Sequence, residues 1–139
     1  MTDELHLVIP SIPSVNSMYM NTKFGKRVRT KKAKAWFTEA EDTVRRQMRN
    51  QKWHTTHGEK VVVDVYTLFP DARNRDVNNS AKALCDMLEH AEVYDNDRYA
   101  LVRYIDYDID REHPRVEIIV RKFDKEKDGW KRNDNSSKA

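Results

Sequence analysis

A single cysteine leaves this 139-residue chain no partner for an internal disulfide, so its fold must be held by packing and hydrogen bonds alone. That cysteine, Cys85, falls on an apolar stripe and reads as a small buried hydrophobe. No apolar run approaches the length of a membrane span, and Met1–Pro10 lacks the pattern of a secretory signal. The chain therefore reads as a soluble, cytoplasmic protein with no membrane partner. His54 and His57 stand three apart, but no cysteine or second histidine pair joins them, which argues against a zinc site. There is no internal repeat. Aliphatic residues nearly vanish after Phe123, so 124–139 (DKEKDGWKRNDNSSKA) is expected to be a disordered polar tail behind a domain of residues 1–123.

A further absence is local. From Leu5 to Thr38 there is no acidic residue, yet Lys23, Lys26, Arg27, Arg29, Lys31, Lys32 and Lys34 fall within twelve positions. A charge run is commonly a solvated face, but one without a compensating acid is an electrostatic footprint for phosphates. The net charge of +3 is modest, so the distribution carries the signal and the total does not. Gly25, with Asn21 and Thr22 nearby, marks a hairpin or flexible loop able to follow a nucleic-acid backbone.

With 38% hydrophobic and 35% charged residues, the composition is that of one globular domain with a heavily solvated surface. Leu5–Ile9 reads as a strand stopped by Pro10, and a rigid proline-bearing loop follows it. Thr30–Asn50 carries Ala33, Trp36, Phe37, Ala40, Val44 and Met48 on one helical face, the two aromatics being read as core. Val61–Phe69 is β-branched and aromatic, a strand ending at Pro70. In Asn78–Leu88, Ala81, Leu84, Cys85 and Leu88 recur at helical spacing. Tyr99–Ile109 reads as a strand with Leu101, Arg103, Ile105, Tyr107 and Ile109 on one face; Asp110–Pro114 turns into a returning strand, Arg115–Phe123. The fold class expected is α+β: a mixed sheet of about four strands with two helices covering mainly one face.

The chemistry concentrates between Arg73 and Asp97. Asp76 stands just before the second helix, where unpaired N–H groups favour a carboxylate. Lys82 and Asp86, four apart, share one helix face, and Asp95 and Asp97 lie in a polar turn beyond it. An ordinary capped surface helix accounts for each feature singly; their convergence raises the functional reading.

This stretch resembles the signature of the RusA-type Holliday junction resolvases. Arg75-Asp76-Val77-Asn78-Asn79 is followed by Lys82, Asp86 and Leu88, and then by Tyr94-Asp95-Asn96-Asp97. The opening Ile9-Pro10-Ser11-Ile12-Pro13-Ser14-Val15-Asn16, with Tyr19 after it, is similar to the family's N-terminal motif. The likeness runs from about residue 5 to 123. It implies a RusA-like fold and a homodimer that cuts four-way DNA junctions with Mg2+, for which Mn2+ could substitute, and with no small-molecule cofactor. It places Asn16 and Tyr19 beside the active site or DNA. On this reading Asp76 and Asp97 are the principal metal ligands, Asp95 or Asp86 supplies a further oxygen, and Lys82 faces the scissile phosphate. Lys23, Lys26, Arg27, Arg29, Lys31, Lys32, Arg73 and Arg75 would hold the DNA backbone.

One position departs from the family: Asn78 occupies the place of a second aspartate. An amide oxygen can coordinate magnesium but brings no charge and cannot act as a general base. Three readings stay open: a natural variant compensated by Asp86 or Asp95, an engineered inactivating change, or a junction binder that no longer cuts. A non-catalytic DNA-binding module is the rival class, and a plain α+β interaction domain the third.

Overall fold

A strand buried on both faces belongs inside a sheet, and Val61, Val62, Val63 and Val65 are all almost fully shielded from solvent. A computed structural model of the chain describes residues 3–73 and 75–132, apart from the side chains of Val15 and Asn16. In chain order it comprises β1 (Glu4–Pro10), the one-turn α1 (Val15–Met18), β2 (Tyr19–Asn21), β3 (Arg27–Arg29) and the long α2 (Lys31–Gln51). There follow β4 (Val61–Phe69), a 3-10 turn (Val77–Ser80), α3 (Ala81–His90), a second 3-10 turn (Asp97–Tyr99), β5 (Ala100–Ile109), β6 (Arg115–Lys122) and the short α4 (Lys125–Asp128). The main sheet has four strands in the order β1-β6-β4-β5, with β4 and β5 parallel and the other pairs antiparallel. It is a mixed sheet in an α+β domain, as expected.

One face of this sheet makes the core. Leu5, Leu7 and Ile9 of β1, Val116, Ile118 and Val120 of β6, and alternate valines of β4 meet Trp36, Phe37, Ala40 and Val44 of α2 and Leu84, Met87 and Leu88 of α3. Both aromatics of α2 are thus core residues. Gln47 and Gln51, one helical turn apart, hydrogen-bond through their amides to both the N–H and C=O groups of Val8 and His6. The outer edge of β1 is thereby satisfied by side chains where another strand would otherwise pair.

Four expectations need correction. The strands Ala100–Ile109 and Arg115–Lys122 do not form a hairpin, because β4 lies between them and pairs with both. The valine-rich β4 takes the central place, since it alone of the four strands has fully buried residues at consecutive positions, and so on both faces. The second concerns the face of β5: Val65 pairs with Tyr104 and Tyr66 with Asp106, so Ile105 is an inserted residue. This bulge reverses the alternation, so Tyr107 and Ile109 do not share a face with Leu101 and Arg103. Arg103 pairs with Asp64 on one side of the sheet, while Tyr107 packs edge-on against Phe69. Third, α3 buries Ala83, Leu84, Met87 and Leu88, leaving Ala81 and Cys85 half-buried at the margin. Finally, the tail does not begin its irregular course at Asp124: that residue caps α4, and Asp128 is clasped by Arg121. The last seven residues, 133–139, lie outside the described residues.

Candidate active site

Asp76 hangs between a strand and a helix, and the connection is braced at several points. After β4 ends, Asp71 accepts hydrogen bonds from the Arg73 amide (3.0 Å) and from Nη1 of Arg75 (2.6 Å). The Arg75 contact, with the Arg73 amide and nearby guanidinium charge, holds the Asp71 carboxyl down at about 2, against the pull of its own desolvation. The Arg75 guanidinium also lies 5.3 Å from the Phe69 ring centroid. Asp76 then caps the 3-10 turn, its Oδ1 accepting from the Asn78 amide at 2.9 Å. Ser80 ends that turn and bonds the Tyr104 hydroxyl of β5 at 3.0 Å, tying it to the sheet. Asp71 escaped the sequence reading; its signal was the four-residue spacing to Arg75.

An open groove of about 690 Å³ runs past this connection. Its walls bring Ser14 and Ser17, from the start of α1, against Arg73, Arg75, Asp76 and Asn79, with Lys32 from the first turn of α2. Trp36 holds the loop before α1 in place, donating its indole N–H to the Pro10 carbonyl at 3.1 Å. Two segments about sixty residues apart in sequence thus face each other across one cleft.

The other acids sit along α3. Lys82 and Asp86 approach to 3.8 Å, the ammonium largely exposed. Asp97 opens the second 3-10 turn and donates its backbone N–H to Glu89 Oε1 at 2.6 Å. Glu89 was not singled out from sequence, although it stands three residues after Asp86 on the same helix side. Burial raises the Cys85 thiol, and the charges of Asp97 and Asp86 raise it further. Burial likewise raises the Tyr104 hydroxyl, with smaller contributions from Cys85 and Asp76.

Asp95 is held in another direction. Its carboxylate accepts from the Gly58 amide (2.9 Å) and its own N–H donates to the Thr56 carbonyl (3.0 Å), clasping the connector after α2. Among the described residues no three His, Cys, Asp or Glu side chains form a ready metal cluster. Asp97, Asp86 and Lys82 do not line the groove that Asp76 lines.

The cationic arm is a two-stranded hairpin, β2 paired with β3, turning through Gly25 at φ +80°. Arg27 lies over the Tyr19 ring (5.1 Å) and Arg29 over the Phe37 ring (3.7 Å). Lys23, Lys26, Lys31 and Lys32 are exposed. Thr30 roots the hairpin, donating through its hydroxyl to the Ser17 carbonyl (2.7 Å) and through its amide to Met18 (2.8 Å), and it accepts from the Ala33 amide to cap α2. The side chain of Asn16 lies outside what the structure describes.

Comparison with known proteins gives the family. The profile of the family described as endodeoxyribonuclease RusA matches residues 9–121, most of the chain. The chain belongs to that family. A curated relative from Aquifex aeolicus (strain VF5), named crossover junction endodeoxyribonuclease RusA, is 26% identical over 122 residues, 87% of this chain and 94% of the relative. No described helix is long and apolar enough to cross a membrane.

Proposed function

We propose that this protein is a structure-selective endodeoxyribonuclease that resolves four-way DNA junctions, working as a homodimer with Mg2+. The observation that carries the reading is the groove itself: a braced, solvent-facing carboxylate, Asp76, shares it with Arg73, Arg75 and Lys32, and the cationic hairpin grows from its rim at Ser17. Cations beside the acid are what a phosphodiester substrate requires, since the acid alone would repel it. Family membership and the printed name of the Aquifex relative point the same way.

The donor set suits a hard divalent ion. The carboxylate oxygens of Asp76, at the groove, and of Asp97 and Asp86, outside its lining, are the candidate ligands, and an ion that keeps several waters needs few of them. When bound, magnesium would supply Lewis-acid polarisation of the scissile phosphate and a more acidic water. The chain's own part is to hold DNA. Arg73 and Lys32 offer charge along the groove, while Arg75 is positioned by Asp71. Lys82, beside Asp86 on α3, adds an exposed point charge.

A second reading, a junction-binding module that does not cut, is favoured by Asn78, which stands where the family usually carries an aspartate, with no compact acid cluster among the described residues to replace it. Incubating a labelled four-way junction and a matched linear duplex with magnesium or chelator decides between them. Symmetric, magnesium-dependent incision of the junction is expected. Tight junction binding without incision at any magnesium concentration would establish the second reading. Paired incisions need two sites related by a two-fold axis. Sedimentation giving only monomer at micromolar concentration, with and without junction, would remove the dimer.

A further inference from the structure

Phe24 is 82% exposed at the tip of the cationic hairpin, and nothing in the fold requires an aromatic there. The hairpin closes by main-chain pairing of Tyr19 with Arg29, Met20 with Val28 and Asn21 with Arg27. Its turn is tied by the Thr22 amide to the Lys26 carbonyl (2.7 Å), the Gly25 amide to the Thr22 carbonyl (3.0 Å) and the Lys26 amide to Thr22 Oγ1 (3.2 Å). None of these bonds uses the phenyl ring. Its side-chain neighbour is the Lys23 ammonium, 5.4 Å from the ring centroid. A lone exposed hydrophobe is ordinary by itself; what singles this one out is an aromatic ring at a hairpin tip with a lysine ammonium beside it and no acid nearby in sequence.

The surroundings define its partner. Lys23 sits against the ring, Lys26 follows in the same turn, Arg27 and Arg29 lie on the hairpin strand that leads away from it, and no acidic residue occurs between Leu5 and Thr38. An aromatic set among cations matches a nucleic-acid strand, whose phosphates meet the charges and whose bases offer faces for stacking. The root of the hairpin is fixed to the groove through Thr30 and Ser17, so the tip stands at a set place relative to Asp76. Phosphate contacts carry no information about branching, because every duplex presents them. Base faces do: they are covered in a continuous helix and become available where strands exchange. We infer that Phe24 is the branch-sensing residue of this protein, stacking on a base exposed at the exchange point while the surrounding cations hold the backbone. This rests on the junction-directed reading above and adds to it the residue that sets the preference.

The test uses the whole chain in chelator, so that binding is read without cleavage. Affinities for a four-way junction and a matched linear duplex are measured for the parent, Phe24→Ala and Phe24→Trp, with 2-aminopurine placed at the branch. For Phe24→Ala, junction affinity should fall roughly five- to 150-fold, the range spanned by loss of one base stack. Duplex affinity and the salt dependence should stay as in the parent. The parent should change 2-aminopurine fluorescence on binding, Phe24→Ala should not, and Phe24→Trp should restore both preference and signal. A Phe24→Ala protein that keeps the junction preference and the fluorescence change overturns the inference and leaves the functional reading standing. Equal loss on junction and duplex overturns it too, by making Phe24 a general contact. A parent that binds junction and duplex alike removes the functional reading, and the inference with it.

Discussion

The hairpin and the segment from Asp76 to Asp97 carry opposite charge, and they are held in opposite ways. On the acidic side the carboxylates or their backbones are pinned: Asp76 by the Asn78 amide, Asp95 by Gly58, and Asp97 through its amide to Glu89. On the basic side the cations rest on ring faces, as Arg27 and Arg29 do, or reach freely into solvent. Pinning costs conformational entropy and is worth that cost only where position matters to a fraction of an ångström. Loose cations suffice for a ligand recognised by its charge density. The two regions therefore divide the labour, with geometry on one side and attraction on the other.

The strongest test of this division is Asp76→Asn. Asparagine caps as well as aspartate, so the 3-10 turn should survive and the fold with it. Cleavage should drop by more than the roughly 10- to 100-fold that loss of an outer-shell partner costs. Junction affinity in chelator should hold or rise slightly, because a negative charge has left the groove. Loss of binding together with cleavage would break the division.

Neutralising Lys26, Arg27 and Arg29 to glutamine should do the reverse. Each lost phosphate contact lowers the slope of log affinity against log salt by about 0.9, so the triple change should flatten it by up to roughly 2.7. Single-turnover cleavage at saturating protein should stay close to that of the parent. An unchanged slope would move the DNA surface elsewhere.

Asn78→Asp is the finer probe. The side chains are nearly isosteric, and the Asn78 amide that Asp76 caps is unaltered. One added unit of charge within a few ångströms of the ion should tighten magnesium binding by calorimetry on the order of tenfold. Cleavage at limiting magnesium should rise with it. If the parent already cuts well and Asn78→Asp cuts no better, Asp86 or another acid has taken over the missing charge.

Much of this was legible in the sequence because local chemistry wrote it there. Thr30 and the apolar face of α2 mark a helix by propensity and period, and the observed cap is that threonine. The strand Val61–Phe69 and the capping role of Asp76 follow from residue type alone. What escaped depended on partners distant in sequence. The bulge at Ile105 exists only relative to β4, and alternation along one strand cannot reveal it. The neighbour of β6 was misread because a five-residue turn can close a hairpin or step over a strand. The valine run that decides the matter lies some fifty residues upstream. Glu89 and Asp71 were missed for the converse reason: as charged residues they look like solvent-facing surface until a backbone amide or a guanidinium is found against them.

A charged cluster that belongs to neither region provides the control. Asp128 on α4 is almost fully shielded and takes both guanidinium nitrogens of Arg121 at 2.5 Å, with Arg103 at 3.6 Å. The Arg121 bonds, and the Asp124 amide after them, hold its carboxyl well below the usual range. A carboxyl depressed in the folded state adds stability above its unfolded pKa of about 3.9, and that stability is lost as the pH falls through the folded value. Asp128→Asn should therefore melt at a lower temperature than the parent at pH 7, and the gap should narrow as the pH is taken below 4. Junction affinity, salt slope and cleavage rate at 25 °C should all be unchanged, because no groove or hairpin residue touches the cluster. A change in any of the three would mean that the C-terminal helix reaches the DNA, and that attraction is not confined to the hairpin side.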